Sequence, residues 1–126
     1  MIYFQCDYEE GCHPAILKRL NETNLEQTVG YSMDPYCASA REKIKKVVGR
    51  PDADVHFLVG GTQTNMTVIA AALKPWQGAI CADTGHIACH ETGAIEATGH
   101  KVLALSSEDG KITAAQIEET VKKHYE

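Results

Sequence analysis

Val55-His56-Phe57-Leu58-Val59-Gly60-Gly61-Thr62-Gln63-Thr64-Asn65-Met66-Thr67-Val68-Ile69-Ala70-Ala71-Ala72-Leu73 decides the fold class of this 126-residue chain. The apolar run 55–59 predicts a short strand, Gly60 and Gly61 break it, and Met66, Ile69, Ala70 and Leu73 then recur at helical spacing. A helix begun in this way points its free N–H groups and the positive end of its dipole across the turn, which suits an anion and most simply a phosphate. Two glycines permit a tight turn, and the hydroxyls of Thr62 and Thr64 offer further donors. Neither G-x-x-x-x-G-K-[ST] nor G-x-G-x-x-G is present, so a small phosphate ester fits better than a nucleotide. The same pattern also serves as a plain turn with a helix cap, and the residues of the turn alone leave both readings open.

Downstream the alternation continues, with a strand expected over 79–82, a helix over about 90–97 and a strand over 101–105. Three strands alternating with helices predict an α/β arrangement with a mainly parallel sheet and crossover helices. Thr113 and Gln116 stand at capping-box spacing before a last helix, which carries Ile117, Val121 and Tyr125 on one stripe and the pairs Glu118/Lys122 and Glu119/Lys123. Upstream, Pro14 opens a helix over 14–21, residues 24–36 read as an irregular connection, and a second helix over 36–48 ends at Gly49. The expected division is a helical arm at 1–50 and the start of an α/β domain at 51–126, a sheet that stops where another strand is due.

Twelve basic residues against seventeen acidic give a formal charge of −5, and neither sign gathers into a long run. That balance points to neither nucleic acid nor an acidic membrane as partner. The start, MIYFQCDYEE, lacks the basic and apolar regions of a signal peptide, and the five cysteines (Cys6, Cys12, Cys37, Cys81, Cys89) show no C-x-x-C spacing. The expectation is reduced thiols and a cytoplasmic location.

VHFLVGGTQTNMTVIAAAL and ADTGHIACHETGAIEATGHKV, with CDYEEGCHPAIL and TVGYSMDPYC before them in the same order, resemble the aldolase and β-eliminating lyase branch of the aspartate-aminotransferase-like pyridoxal-phosphate enzymes, fold type I. The resemblance to threonine aldolases covers essentially the whole chain. It implies an incomplete N-terminal part of the large cofactor-binding domain, retro-aldol cleavage of a β-hydroxy-α-amino acid to glycine and an aldehyde, and pyridoxal 5'-phosphate as cofactor. It places Gly61 and Thr62 at the cofactor phosphate, with Gly60, Thr64 and Asn65 as neighbours. In His86-Ile87-Ala88-Cys89-His90-Glu91-Thr92-Gly93 it gives His86 the place against the pyridine ring and Glu91 the acidic role. Either His86 or a water held by Glu91 then takes the proton of the β-hydroxyl. It makes Tyr31 the tyrosine lent across a dimer interface, with Asp34 the acidic residue close after it. It also puts Cys6 where the family has a substrate-binding serine, although a thiol is the poorer donor.

The family's Schiff-base lysine has no match here: Lys45, Lys74 and Lys122 sit where solvated charges are expected. The expectation is therefore a chain inactive by itself, a truncated or separately encoded piece completed by a lysine-bearing segment and associating with itself as a homo-oligomer or with that segment, or else a non-catalytic remnant or subunit that keeps phosphate binding. Competing readings of single residues are a backbone-bonded histidine at His86, a carboxylate in the first turn of a helix at Glu91, and loop packing at Tyr31. Cys81, His86, Cys89 and His90 are all possible metal ligands, but their C-x4-H-x2-C-H spacing is no established zinc pattern, and no metal is expected.

Overall fold

Proline at the first helical position opens both helices of the first unit, where its fixed φ suits the turn and its missing N–H costs nothing. In this computed structural model residues 10–124 are described, and the chain divides into two units, Met1–Val55 and His56–Glu126. In the first, α1 spans Pro14–Thr23 and is capped by His13, whose Nδ1 accepts from the Ala15 N–H at 3.2 Å. Ile16, Leu17 and Leu20 share a face as expected, yet each is more than half exposed. Helix α2 spans Pro35–Val48, opens on Asp34, whose carboxylate accepts from the Cys37 N–H at 2.8 Å, and closes on Gly49 in the left-handed region at φ 68°. Arg41 ties this unit together by donating to the Ser32 carbonyl at 2.7 Å and to the Val55 carbonyl at 3.2 Å.

The second unit begins without the expected first strand. Residues 55–59 are in no ladder, and Val59 stands almost wholly exposed. A strand is a run whose N–H and C=O groups are taken by a neighbour in a ladder, and no ladder with 55–59 is formed among the described residues. Helix α3 follows at Gly61–Ala72, and then β1 (Gly78–Ala82) and β2 (Lys101–Leu105) form a two-stranded parallel sheet with Ile80 opposite Leu103. The fold class is α/β as read from the sequence, with two strands among the described residues where three were expected.

The crossover between these strands also departs from expectation. Instead of one helix over 90–97 there is a single turn, α4 at His86–Cys89, then a loop, then a 3-10 turn at Glu96–Thr98. The break has a cause in the backbone: Thr92 at φ 49° and Gly93 at φ 80° both lie in the left-handed region, which stops a right-handed helix. Ile95, fully buried, and Ala82 are the buried apolar residues among those described, so this loop supplies much of the core that the unit has. Gly78 lets the strands meet, since a Cβ there would stand 2.7 Å from the Lys101 carbonyl oxygen.

Helix α5 at Ala114–His124 realises its capping box: the Gln116 N–H donates to Thr113 Oγ1 at 3.3 Å and the Thr113 N–H to Gln116 Oε1 at 2.9 Å. Its Glu118–Lys122 and Glu119–Lys123 pairs form at 2.8 and 2.6 Å. No helix among the described residues is long and apolar enough to cross a membrane.

Candidate active site

Strand β1 ends at Ala82, and the turn after it is fixed from both sides. Asp83 donates its N–H to the Leu105 carbonyl at 2.7 Å, and its Oδ1 accepts from the Ser107 hydroxyl at 2.7 Å and the Ser107 N–H at 3.2 Å. The Ser107 hydroxyl first, and then the Ser107 N–H, hold the Asp83 carboxyl below its ordinary range. Gly85 packs so closely that a Cβ would lie 2.9 Å from the Ala82 carbonyl and 3.1 Å from Cys81 Cβ. This turn delivers His86 to the C-terminal end of a parallel strand, where open α/β sheets place their ligands.

Glu91 comes back to meet it. Its side chain is buried, with the residue 3% exposed, yet Oε1 accepts two hydrogen bonds: from Asn65 Nδ2 at 2.5 Å and from His86 Nδ1 at 2.8 Å. Burial pushes the Glu91 carboxyl up, but the His86 and Asn65 hydrogen bonds outweigh it and leave the group below its ordinary value. An ionised carboxylate only accepts, so His86 Nδ1 carries the proton of this bond and, in the neutral ring, Nε2 is left as the acceptor. Glu91 Oε2 is buried and has no hydrogen-bond partner among the described residues. A buried polar atom without a partner is rare enough to mark a place for a donor from outside the chain.

The imidazole itself is open, with 63% of its side-chain surface exposed, and His90 packs beside it with ring centroids 5.4 Å apart. A flat group can therefore lie against it. The alternative for His86, a bond to backbone, is replaced by the bond to Glu91. The alternative for Glu91 fails as well, because the residue follows α4 and is in no helical first turn.

At the glycine turn the geometry differs from the sequence reading in two details. Gly60 is extended, at φ −169°, and Gly61 is helical, so neither conformation demands glycine; what the pair supplies is room, since a Cβ at either position meets nothing within 4 Å. Thr64 is no donor to an anion, because its hydroxyl is spent on the Gly60 carbonyl at 2.9 Å. Gln63 Oε1 accepts from the Val59 N–H at 2.9 Å and holds the approach to the helix, where the first-turn N–H groups lack partners within the helix. Thr62 is half-buried at that turn.

The structure thus brings Asn65, His86 and Glu91 into one cluster, with the Gly60–Gly61 turn on the helix that carries Asn65. Tyr31 belongs to the other unit, fully exposed at φ 58° and followed by Ser32 at φ 60°. Asp34 is occupied as the cap of α2. Cys6 lies outside the described residues. Among the described residues no three histidine, cysteine or acidic side chains converge to hold a metal ion. Sequence reasoning missed two contributions: the Asn65 amide bonded to a residue 26 positions away, and the Asp83–Ser107 clasp. Only the Asp-Thr-Gly turn signal next to a strand hinted at the second.

The sequence model of the beta-eliminating lyase family matches residues 7–126. Low specificity L-threonine aldolases of Pseudomonas sp. (strain NCIMB 10558) and Pseudomonas aeruginosa are each 30% identical over 122 residues, 95% of this chain and 35% of theirs. A solved structure of Leishmania major threonine aldolase matches with a TM-score of 0.88 and 48% identity over 92% of this chain and 34% of that one. The chain spans about a third of the length of these relatives.

Proposed function

Because the chain belongs to the beta-eliminating lyase family, we propose that it forms part of a pyridoxal-phosphate-dependent lyase of the threonine aldolase type. Such an enzyme splits a β-hydroxy-α-amino acid such as threonine into glycine and an aldehyde. The observation that carries this reading is the buried Glu91 carboxylate, fixed by Asn65 and His86 through one oxygen and, among the described residues, without a partner on the other.

Two features fit the cofactor. The room above Gly60 and Gly61 admits a phosphate to the start of α3, and the open face of His86 admits an aromatic ring. When bound, pyridoxal phosphate supplies an electron sink for the bond that breaks. In this reading Gly60, Gly61 and Thr62 hold the phosphate and His86 holds the ring flat. Two acceptors remain for the β-hydroxyl proton, His86 Nε2 and, through a water, Glu91 Oε2. In this reading the covalent lysine and the groups that bind the substrate carboxylate belong to a further segment, with Tyr31 and Cys6 as this chain's own candidates at the substrate. The reading places the assembled enzyme in the cytoplasm as an oligomer.

The test is spectroscopic and chemical. The protein assembled with a lysine-bearing segment is expected to shift the cofactor's visible absorption and to release glycine from threonine. Absence of both would overturn the proposal.

A further inference from the structure

Asn65 is bonded into the cluster in a way that the phosphate cradle does not explain. It stands four residues after Gly61 on α3 and therefore on the same face of the helix. Its one hydrogen-bonded side-chain donor goes to Glu91 Oε1, and not toward the turn. A carboxylate oxygen offers about two lone-pair sites, and at Oε1 Asn65 Nδ2 and His86 Nδ1 take both. With Asn65 in place, Oε1 is the oxygen that meets the imidazole and Oε2 is the one left free.

We propose that Asn65 is a positioning residue for the cleavage reaction: by holding the Glu91 carboxylate it keeps Oε1 aimed at His86 Nδ1–H, so that the ring stays in the Nδ1–H form and His86 Nε2 is left as the proton acceptor. The inference rests on the lyase reading for its reaction, but the hydrogen-bond arrangement it describes belongs to this chain alone. The helix links two tasks, since the turn that faces the anion and the amide that sets the proton acceptors are one helical turn apart. Of the titratable groups at the cluster, His86 and His90 belong to α4 and its end and Glu91 to the loop after it, while α3 brings only the neutral amide of Asn65.

The experiment is nitrogen-detected NMR of the His86 imidazole in the protein assembled with its lysine-bearing segment, together with kcat, KM and cofactor affinity, for wild type, Asn65→Leu and Asn65→Asp. In wild type the neutral ring is expected to hold its proton on Nδ1. Asn65→Leu removes the donor at similar size. Asn65→Asp keeps the shape and puts an acceptor in its place, which preserves the test if the leucine variant does not fold. Both are expected to lose the Nδ1–H preference. The leucine variant should lower kcat about 10- to 100-fold, the loss of one hydrogen bond to a charged group, with cofactor affinity and KM nearly unchanged. Unchanged proton placement in both folded variants would overturn the proposal. So would weakened cofactor binding with unchanged kcat, which would make Asn65 a cradle residue. If wild type neither binds the cofactor nor cleaves threonine while the NMR result holds, the lyase reading fails and the Asn65–Glu91–His86 arrangement stands.

Discussion

Two turns in the second unit each lead into a helix that carries candidate site residues, and they are built on opposite plans. The turn at Gly60–Gly61 is exposed, has open space where side chains would stand, and takes its order from local bonds such as Thr64 to Gly60. The turn from Asp83 to Glu91 is closed, with Gly85 packed against β1, Ser107 clasping Asp83, and Asn65 reaching across to a buried carboxylate. A turn that must admit a ligand keeps its glycines for room, whereas a turn that must aim side chains keeps its glycine for contact. The two kinds of glycine should therefore respond to substitution in opposite ways.

The largest effect is expected at the closed turn's acid. Glu91→Gln in the cofactor-loaded, assembled enzyme should lower kcat by roughly 100-fold or more, the range for losing a general acid–base partner, as read by glycine release; an unchanged rate would remove Glu91 from the chemistry. Next, Gly85→Ala forces a Cβ to within 2.9 Å of the Ala82 carbonyl. Such overpacking costs about 1–3 kcal/mol, visible as a lower urea midpoint. At the open turn, Gly61→Ala should do the reverse and stabilise the helix start by about 0.4–1 kcal/mol while weakening the cofactor phosphate by about tenfold. Equal destabilisation by both alanines would erase the contrast between the turns.

Acid should act on the closed turn first. Glu91 has an ordinary value of 4.5 and is held lower in the fold, so its contribution is complete above about pH 4.5 and fades as pH falls through the folded value. Denaturation midpoints taken from pH 6 downward should show this loss, and Glu91→Gln should flatten it. The smallest effect belongs to the surface of α5, where the Glu119–Lys123 pair is exposed on both sides. Lys123→Ala should leave the melting temperature unchanged within error.

The open turn was largely legible in the sequence, because its logic is local: a glycine pair, a helical period and a cap lie within a few residues of one another. For the same reason α2, α5, β1 and β2 fall close to their expected bounds, with Gly49 and the Thr113–Gln116 box marking helix ends through chemistry contained in one turn of chain. Over 55–59, where a strand was expected, no ladder is formed among the described residues, because an apolar run records burial and does not name the neighbour that a ladder needs. The helix expected over 90–97 was misplaced because threonine at 92 gives no sign that its backbone turns left-handed. His86 and Glu91 came from motif resemblance, and the amide that joins them through Glu91 lay beyond any spacing rule.

Thr92 itself sets a limit on how this turn can change. A β-branched residue at φ 49° carries a steric cost on the order of 1 kcal/mol that glycine or asparagine would relieve. It directly follows the residue whose carboxylate accepts two hydrogen bonds at one oxygen. Glycine there would ease the backbone and at the same stroke loosen the segment that aims the Glu91 carboxylate, so comfort at one residue is set against aim at the next.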